Sequence, residues 1–115
     1  MNSREQLENK MRKGTALKKI DRIKNQLVNK YQLEKIIIFG SAARGDEEIN
    51  DIDLFIIKND VPYYGADRIT ELYRLMDTDL AIDYIIYKPE EVQERLSLRD
   101  PFLVKIFNEG IILYG

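Results

Sequence analysis

Residues 39–57, FGSAARGDEEINDIDLFII, decide how the chain is organised. The stretch ends one apolar run, turns at Gly40 and Ser41, crosses a charged segment, and enters a second apolar run that carries Asp51 and Asp53. Side chains alternate between the two faces of a strand, so these aspartates are predicted to share one face. Because an unpartnered carboxylate is costly in a strand, the stretch predicts two strands with a paired-acid site at the start of the second.

Hydrophobic periodicity extends this organisation along the chain. Apolar residues recur at three- and four-residue spacing after residue 15, as in an amphipathic helix, whereas short β-branched runs predict strands. The order is α-β-α-β-α-β-α-α-β, which predicts an α/β (α+β) layered fold in one domain, residues 1–115, with residues 1–14 as an N-terminal helical extension. Strands are predicted over 35–39, 51–58, 80–87 and 111–114, and helices over 15–31, 41–44, 66–76, 89–98 and 101–110.

The composition excludes several kinds of chemistry. The 115-residue chain has no cysteine and no histidine, which rules out disulfides, thiolate zinc sites and histidine-based triads. Its net charge of −2 shows no basic excess, so direct nucleic-acid binding is not expected. No apolar run is long enough to span a bilayer, and the N-terminus lacks the apolar core of a signal peptide. A cytoplasmic protein is therefore expected.

A third acid lies inside a later apolar run. Asp83 interrupts LAIDYII, residues 80–86, which otherwise have the pattern of a buried strand. If this strand neighbours the one with Asp51 and Asp53, the three carboxylates converge and repel one another when ionised. A divalent cation would remove that repulsion, and ligands that are all oxygen favour Mg²⁺ or Mn²⁺. The acids therefore predict a site for hard metal ions.

Gly40 and Ser41 supply the complementary half of the predicted site. Glycine allows close backbone approach, and the free N–H groups at a helix start attract phosphate, with the serine hydroxyl as a further donor. Arg44, about one turn later, is assigned to phosphate binding, with a surface ion pair as an equally weighted alternative. Beside the acids, this turn predicts phosphoryl or nucleotidyl transfer by two-metal catalysis.

The motif resembles the signature of the DNA polymerase β-like nucleotidyltransferases. GSAARG (residues 40–45) followed by NDIDLFII (residues 50–57) has their Gly-Ser pair and Asp-x-Asp, with the third Asp on a later strand. The small size and the ending FNEGIILYG are similar to the minimal nucleotidyltransferases of prokaryotes. The spacer between Ser41 and Asp51 is one residue shorter than in many members, and Asn50 stands where they have serine.

This resemblance implies a fold and a set of residue roles. The fold would be a mixed sheet of about four strands covered by helices. Gly40 and Ser41 would hold the triphosphate of ATP. Asp51, Asp53 and Asp83 would ligate two Mg²⁺ ions, and Asp83 would help to deprotonate the acceptor hydroxyl.

The resemblance also implies a partner. Minimal nucleotidyltransferases commonly pair with a small helical HEPN protein encoded nearby, and in such toxin–antitoxin modules they act as antitoxin by transferring AMP to a toxin tyrosine. An acceptor is then expected to dock near residues 46–50 and near Tyr63 and Tyr64, and a hetero-oligomer is compatible with this role. Two alternatives stay open: an antitoxin that acts by contact alone, and nucleotidyl transfer to a small molecule.

Overall fold

The computed structural model describes residues 14–44, 51–78 and 80–115. Within these ranges the order of elements is the predicted one, although the extension over residues 1–14, apart from Gly14, and the loop over residues 46–50 lie outside them. No helix in the described ranges has both the length and the apolar character needed to cross a bilayer. The elements are α1 (Gly14–Tyr31), β1 (Lys35–Phe39), α2 (Gly40–Arg44), β2 (Asp51–Ile57), α3 (Gly65–Leu75), β3 (Ala81–Tyr87), α4 (Pro89–Ser97), α5 (Pro101–Glu109) and β4 (Ile111–Tyr114).

The four strands form one mixed sheet in the order β3-β2-β1-β4. Strand β1 pairs antiparallel with both β2 and β4, whereas β2 and β3 are parallel. Parallel neighbours need a crossover connection, and α3 provides it between β2 and β3. The fold prediction is therefore confirmed, including the neighbouring placement of the two strands that carry the acids.

Alternation along the strands divides the apolar residues between the two faces of the sheet. One face packs against α1 and α3, with Ile20, Leu27 and Leu72 fully buried. The strand residues on this face alternate with the positions of the acids and are all buried. They are Ile36, Ile38, Ile52, Leu54, Ile56, Ile82, Tyr84 and Ile86.

The other face is apolar at one end only. Phe55 and Ile57 pack there against Leu103 and Ile106 of α5, and the ring of Phe107 lies 5.9 Å from that of Phe55. Because Asp51 and Asp53 precede Phe55 and Ile57 at alternate positions, they lie on this same face, beyond its buried part. The helices α4 and α5 therefore cover one end of the face and leave the acidic end accessible.

A buried arginine holds the crossover to the end of the sheet remote from the acids. The side chain of Arg68, in α3, is 5% exposed and donates hydrogen bonds to the backbone carbonyls of Pro62, Tyr63 and Ile86. It also donates to both carboxylate oxygens of Glu91, at 2.7 and 3.2 Å. One guanidinium thus connects the loop after β2, the end of β3 and the first turn of α4.

Helix α3 buries only part of its apolar side. The three- and four-residue spacing of Ile69, Leu72, Tyr73 and Met76 places them on one side of the helix, where Leu72 is fully buried and Tyr73 is 53% exposed, with its hydroxyl donating to the carbonyl of Ile82. Arg68 lies four residues before Leu72 and eight before Met76, so it is on the same side of the helix as these apolar residues. A charged residue on the apolar side of a helix was the feature of the sequence from which a buried ion pair could have been predicted.

We predict that Arg68→Met destabilises the protein by about 3 kcal/mol at neutral pH, because Glu91 and three backbone carbonyls lose their bonds from the guanidinium and Glu91 keeps, among the described residues, only the bond from the Lys88 N–H. The hydrogen bond from Arg68 lowers the pKa of Glu91, although burial opposes this. That stabilisation is present above the pKa of an unfolded glutamate, about 4.3, and is lost as the pH falls through the lower folded value.

Urea unfolding at neutral and acidic pH measures this effect. The difference between wild type and Arg68→Met should shrink below about pH 4, while Arg74→Met, at an exposed position of the same helix, should change stability by less than about 0.5 kcal/mol. Equal effects of the two substitutions would contradict the assigned role of Arg68.

Candidate active site

Asp53 and Asp83 lie side by side on neighbouring parallel strands. They are register partners in the β2–β3 ladder, so their Cα atoms are about 4.8 Å apart and their side chains project to the same face. Asp53 is half-buried and Asp83 is exposed. The structure therefore brings together two carboxylates that lie 30 positions apart in the sequence and share no local motif.

Asp51 lies at the edge of this pair. It is exposed, its register partner is Ala81, and it precedes Asp53 by about 7 Å along the same face of β2. In the described part of the chain, no three acidic side chains come close enough to form a complete metal cage. Mg²⁺ is commonly held by one or two carboxylates together with substrate phosphates, and Asp53 with Asp83 matches that requirement.

Gly40 faces the acids from the end of β1. Its backbone has φ of +72°, and a Cβ built on it would collide with Oδ2 of Asp53. Its neighbour Phe39 is the register partner of Asp53 in the antiparallel β1–β2 ladder. Only glycine both adopts this conformation without strain and lets the carboxylate approach the backbone so closely. The turn and the acids therefore form one continuous site.

The remaining residues predicted to bind phosphate, Ser41 and Arg44, belong to α2. Ser41 directly follows Gly40 and Arg44 is the last residue of the helix, but their side chains are outside the described part of the structure. Tyr84, which follows Asp83, points to the opposite face, where burial and, secondarily, Tyr73 raise its pKa well above the ordinary value. Its hydroxyl therefore stays protonated near neutral pH and does not belong to the site.

The expectation that Tyr63 and Tyr64 lie near the acceptor side of the acids is wrong. The segment is fixed to the other end of the sheet, where Arg68 donates to the carbonyls of Tyr63 and Ile86. The two rings are highly exposed and contact each other edge to face. The run of β2 separates them from Asp51, because the loop follows the strand end that is remote from the acids.

Sequence reasoning missed an apolar pocket that adjoins this site. Its volume is about 240 Å³, and it lies between the end of β1, Gly40 and one side of α5. Phe102 of α5 contacts Phe39 edge to face, with ring centroids 5.9 Å apart. No spacing rule connects these positions, because their contact depends on how α5 packs across the sheet.

The fold and the site together define a nucleotidyltransferase domain. A mixed sheet places an acid of the Asp-x-Asp pair beside an acid of the next parallel strand, with a glycine turn against them. The family model for polymerase β nucleotidyltransferases matches residues 21–115. The chain belongs to this family, and the roles of individual site residues stay predictions.

Three similar proteins bear on the class of reaction. Two proteins of Methanocaldococcus jannaschii are similar, with the names "Putative protein adenylyltransferase MJ0604" and "Putative protein adenylyltransferase MJ0141". The first is 36% identical over 84% of this chain and 96% of its own length, and the second is 31% identical over 71% and 80%. A crystal structure described as "a putative nucleotidyltransferase from Sulfolobus solfataricus" shares the fold, with a TM-score of 0.53 and 26% identity over 82% of this chain and 81% of that one. These similarities support nucleotidyl transfer.

We predict that Gly40→Ala lowers the free energy of unfolding by about 1–3 kcal/mol and displaces the Asp53 carboxylate. The added methyl group meets that carboxylate, and φ of +72° strains any residue with a Cβ. Gly65→Ala is the matched control, because a Cβ there meets nothing within 4 Å and the residue begins a helix.

Thermal and urea unfolding of both variants measure the difference. Gly65→Ala should be neutral or slightly stabilised, because alanine restricts the unfolded chain more than glycine does. Unchanged stability of Gly40→Ala would contradict the close approach of Gly40 and Asp53.

Proposed function

We propose that this protein transfers AMP from ATP, with Mg²⁺, to a hydroxyl group of a separate protein. The observation that carries the proposal is the in-register pair of Asp53 and Asp83 with Gly40 packed against Asp53. Two carboxylates at neighbouring positions on one face concentrate acceptor oxygens, so the pair is suited to a hard cationic ligand. Gly40 brings the turn between β1 and α2 directly against this pair, so a polyphosphate held by that turn would lie beside the cation.

Each residue then has a defined task. Asp51, Asp53 and Asp83 would hold one or two Mg²⁺ ions, with Mn²⁺ as a substitute, and phosphate oxygens would complete the coordination. When bound, the ions would supply charge neutralisation and Lewis acidity at the phosphate. Gly40, with Ser41 and Arg44 as predicted donors, would orient the triphosphate.

The reaction balances without a further co-reactant. The acceptor oxygen forms a bond to the α-phosphorus of ATP, and the bond from that phosphorus to the bridging oxygen of the β-phosphate breaks. Pyrophosphate leaves, and the acceptor keeps the AMP group through a phosphodiester bond. The proton of the acceptor hydroxyl passes to Asp83, which is exposed and lies on the outer side of the pair.

A protein acceptor fits the shape of the site better than a small molecule does. Asp83 belongs to β3, an edge strand of the described sheet, and both Asp51 and Asp83 are exposed. A tyrosine on the surface of another protein could therefore reach the acids without a channel. The two Methanocaldococcus relatives are named as protein adenylyltransferases, which supports the same choice of donor and acceptor.

The acceptor that we propose is a tyrosine of a small helical HEPN-type protein encoded near this gene. Modification of that protein would silence it, which gives this chain the role of antitoxin. The support for this partner is the minimal-nucleotidyltransferase pattern of residues 40–57 and the open acceptor side. The Tyr63–Tyr64 segment lies at the other end of the sheet, so it would not contact the acceptor tyrosine at the acids.

The proposal predicts that the protein, ATP labelled in its α-phosphate and Mg²⁺ add one or more AMP groups to the purified HEPN-type product of a neighbouring gene. Intact mass and label transfer measure the reaction, and EDTA should abolish it. Asp51→Ala/Asp53→Ala should transfer none. Asp60→Ala/Asp67→Ala, which removes two exposed acids beyond the end of β2, should retain the wild-type rate.

Two other results would overturn the proposal in different ways. If the wild-type protein silences the partner while its mass stays unchanged, the protein acts by contact alone. If AMP appears on a small hydroxyl compound and never on the protein, the acceptor assignment is wrong while the nucleotidyl transfer stands.

A further inference from the structure

The pocket beside Gly40 has the size and position for one part of a nucleotide. Its volume of about 240 Å³ is below the range of roughly 300–1,000 Å³ that encloses a whole drug-sized ligand. Gly40 lines the pocket and also contacts Asp53, so the pocket and the acidic pair share a wall. A molecule whose phosphates lie at the acids could therefore place its remaining part here.

The walls of the pocket are aromatic and aliphatic. Phe39 and Phe102 meet edge to face, and Ala43 and Ile106 complete the apolar surface. Phe102 is 45% exposed although it belongs to the helix that covers the core. A flat apolar ring system that enters the pocket would cover this exposed ring, and stacking of a base on an aromatic side chain is favourable for every nucleobase.

The rim of the pocket carries one donor and one acceptor. Lys105 and Glu109 lie four residues apart on α5, so they are neighbours on its surface, and both line the pocket. The ammonium group can donate to a ring nitrogen, and the carboxylate can accept from an exocyclic amine. A purine offers both types of group and covers more of the apolar wall than a pyrimidine does.

We propose that this pocket binds the purine base of the donor nucleotide, with Phe102 as the residue that contacts the base. The inference rests on the proposed function, since it assumes that the triphosphate lies at Gly40 and the acids. Phe102 then gives the enzyme a preference for purine over pyrimidine donors, and Lys105 and Glu109 read the polar edge of the base.

The test separates binding of the base from binding of the phosphates. With Mg²⁺ present, calorimetry compares α,β-methylene-ATP, α,β-methylene-CTP and inorganic tripolyphosphate, none of which allows AMP transfer. Phe102→Ala should weaken binding of the ATP analogue about tenfold, leave tripolyphosphate unchanged, and reduce the preference for the ATP analogue over the CTP analogue.

Phe107→Ala is the matched control, because Phe107 is an exposed aromatic residue of the same helix that packs on Phe55 and does not line the pocket. It should bind all three ligands as the wild type does. A second measurement needs no variant: in the wild type, the ATP analogue should shift the amide NMR signals of residues 102–109, and tripolyphosphate should not.

The outcomes distinguish the two levels of the proposal. If the wild type binds tripolyphosphate and the ATP analogue equally and residues 102–109 do not shift, the base pocket is wrong and the phosphate site stands. Equal weakening by Phe102→Ala and Phe107→Ala, or shifts by the ATP analogue that spare residues 102–109, would also overturn the pocket. If the wild type binds neither ligand, both the pocket and the proposed function fail.

Discussion

The parallel register of β2 and β3 is the constraint on which the site depends. It sets Asp53 directly beside Asp83, whereas a shift of one residue would send one of the two carboxylates to the opposite face. The apolar residues on the face covered by α1 and α3 specify that register. On this face, Ile52, Leu54 and Ile56 are buried in one cluster with Ile82, Tyr84 and Ile86. Packing on one face of the sheet therefore fixes the relative position of the two carboxylates on the other face.

The contacts that stabilise the sheet and the residues of the proposed site lie at opposite ends of the sheet. At one end Arg68 donates hydrogen bonds to Glu91 and to three backbone carbonyls, and these bonds anchor the crossover between the acid-bearing strands. At the other end Asp51 and Asp83 are exposed, and Gly40 adopts a conformation that only glycine tolerates well. The acids and the strained glycine conformation thus lie together at the end where we propose that a cation binds, while the contacts of Arg68 hold the remote end together.

The sequence predicted the helices and strands from the period of their apolar residues, and the shared face of Asp51 and Asp53 from the alternation of side chains along a strand. The neighbouring position of Asp83 required the pairing of two strands, which local patterning favours but does not determine. Tertiary contacts determine three features that local patterns do not predict: Arg68 is buried, Tyr73 is exposed, and Tyr63 lies far from the acids. The contact of Phe102 with Phe39 is the extreme case, since it joins residues far apart in the chain through the packing of α5 on the sheet.

Paramagnetic broadening by Mn²⁺ tests most directly whether Asp53, Asp83 and Gly40 form one metal–triphosphate site. With the α,β-methylene analogue of ATP bound, substoichiometric Mn²⁺ should first broaden the amide signals of Gly40, Asp53 and Asp83. The signals of Tyr64 and Arg68, at the far end of the sheet, should stay sharp. Broadening that begins at the far end, or that spares Asp83 while Asp53 is lost, would contradict a shared site across β2 and β3.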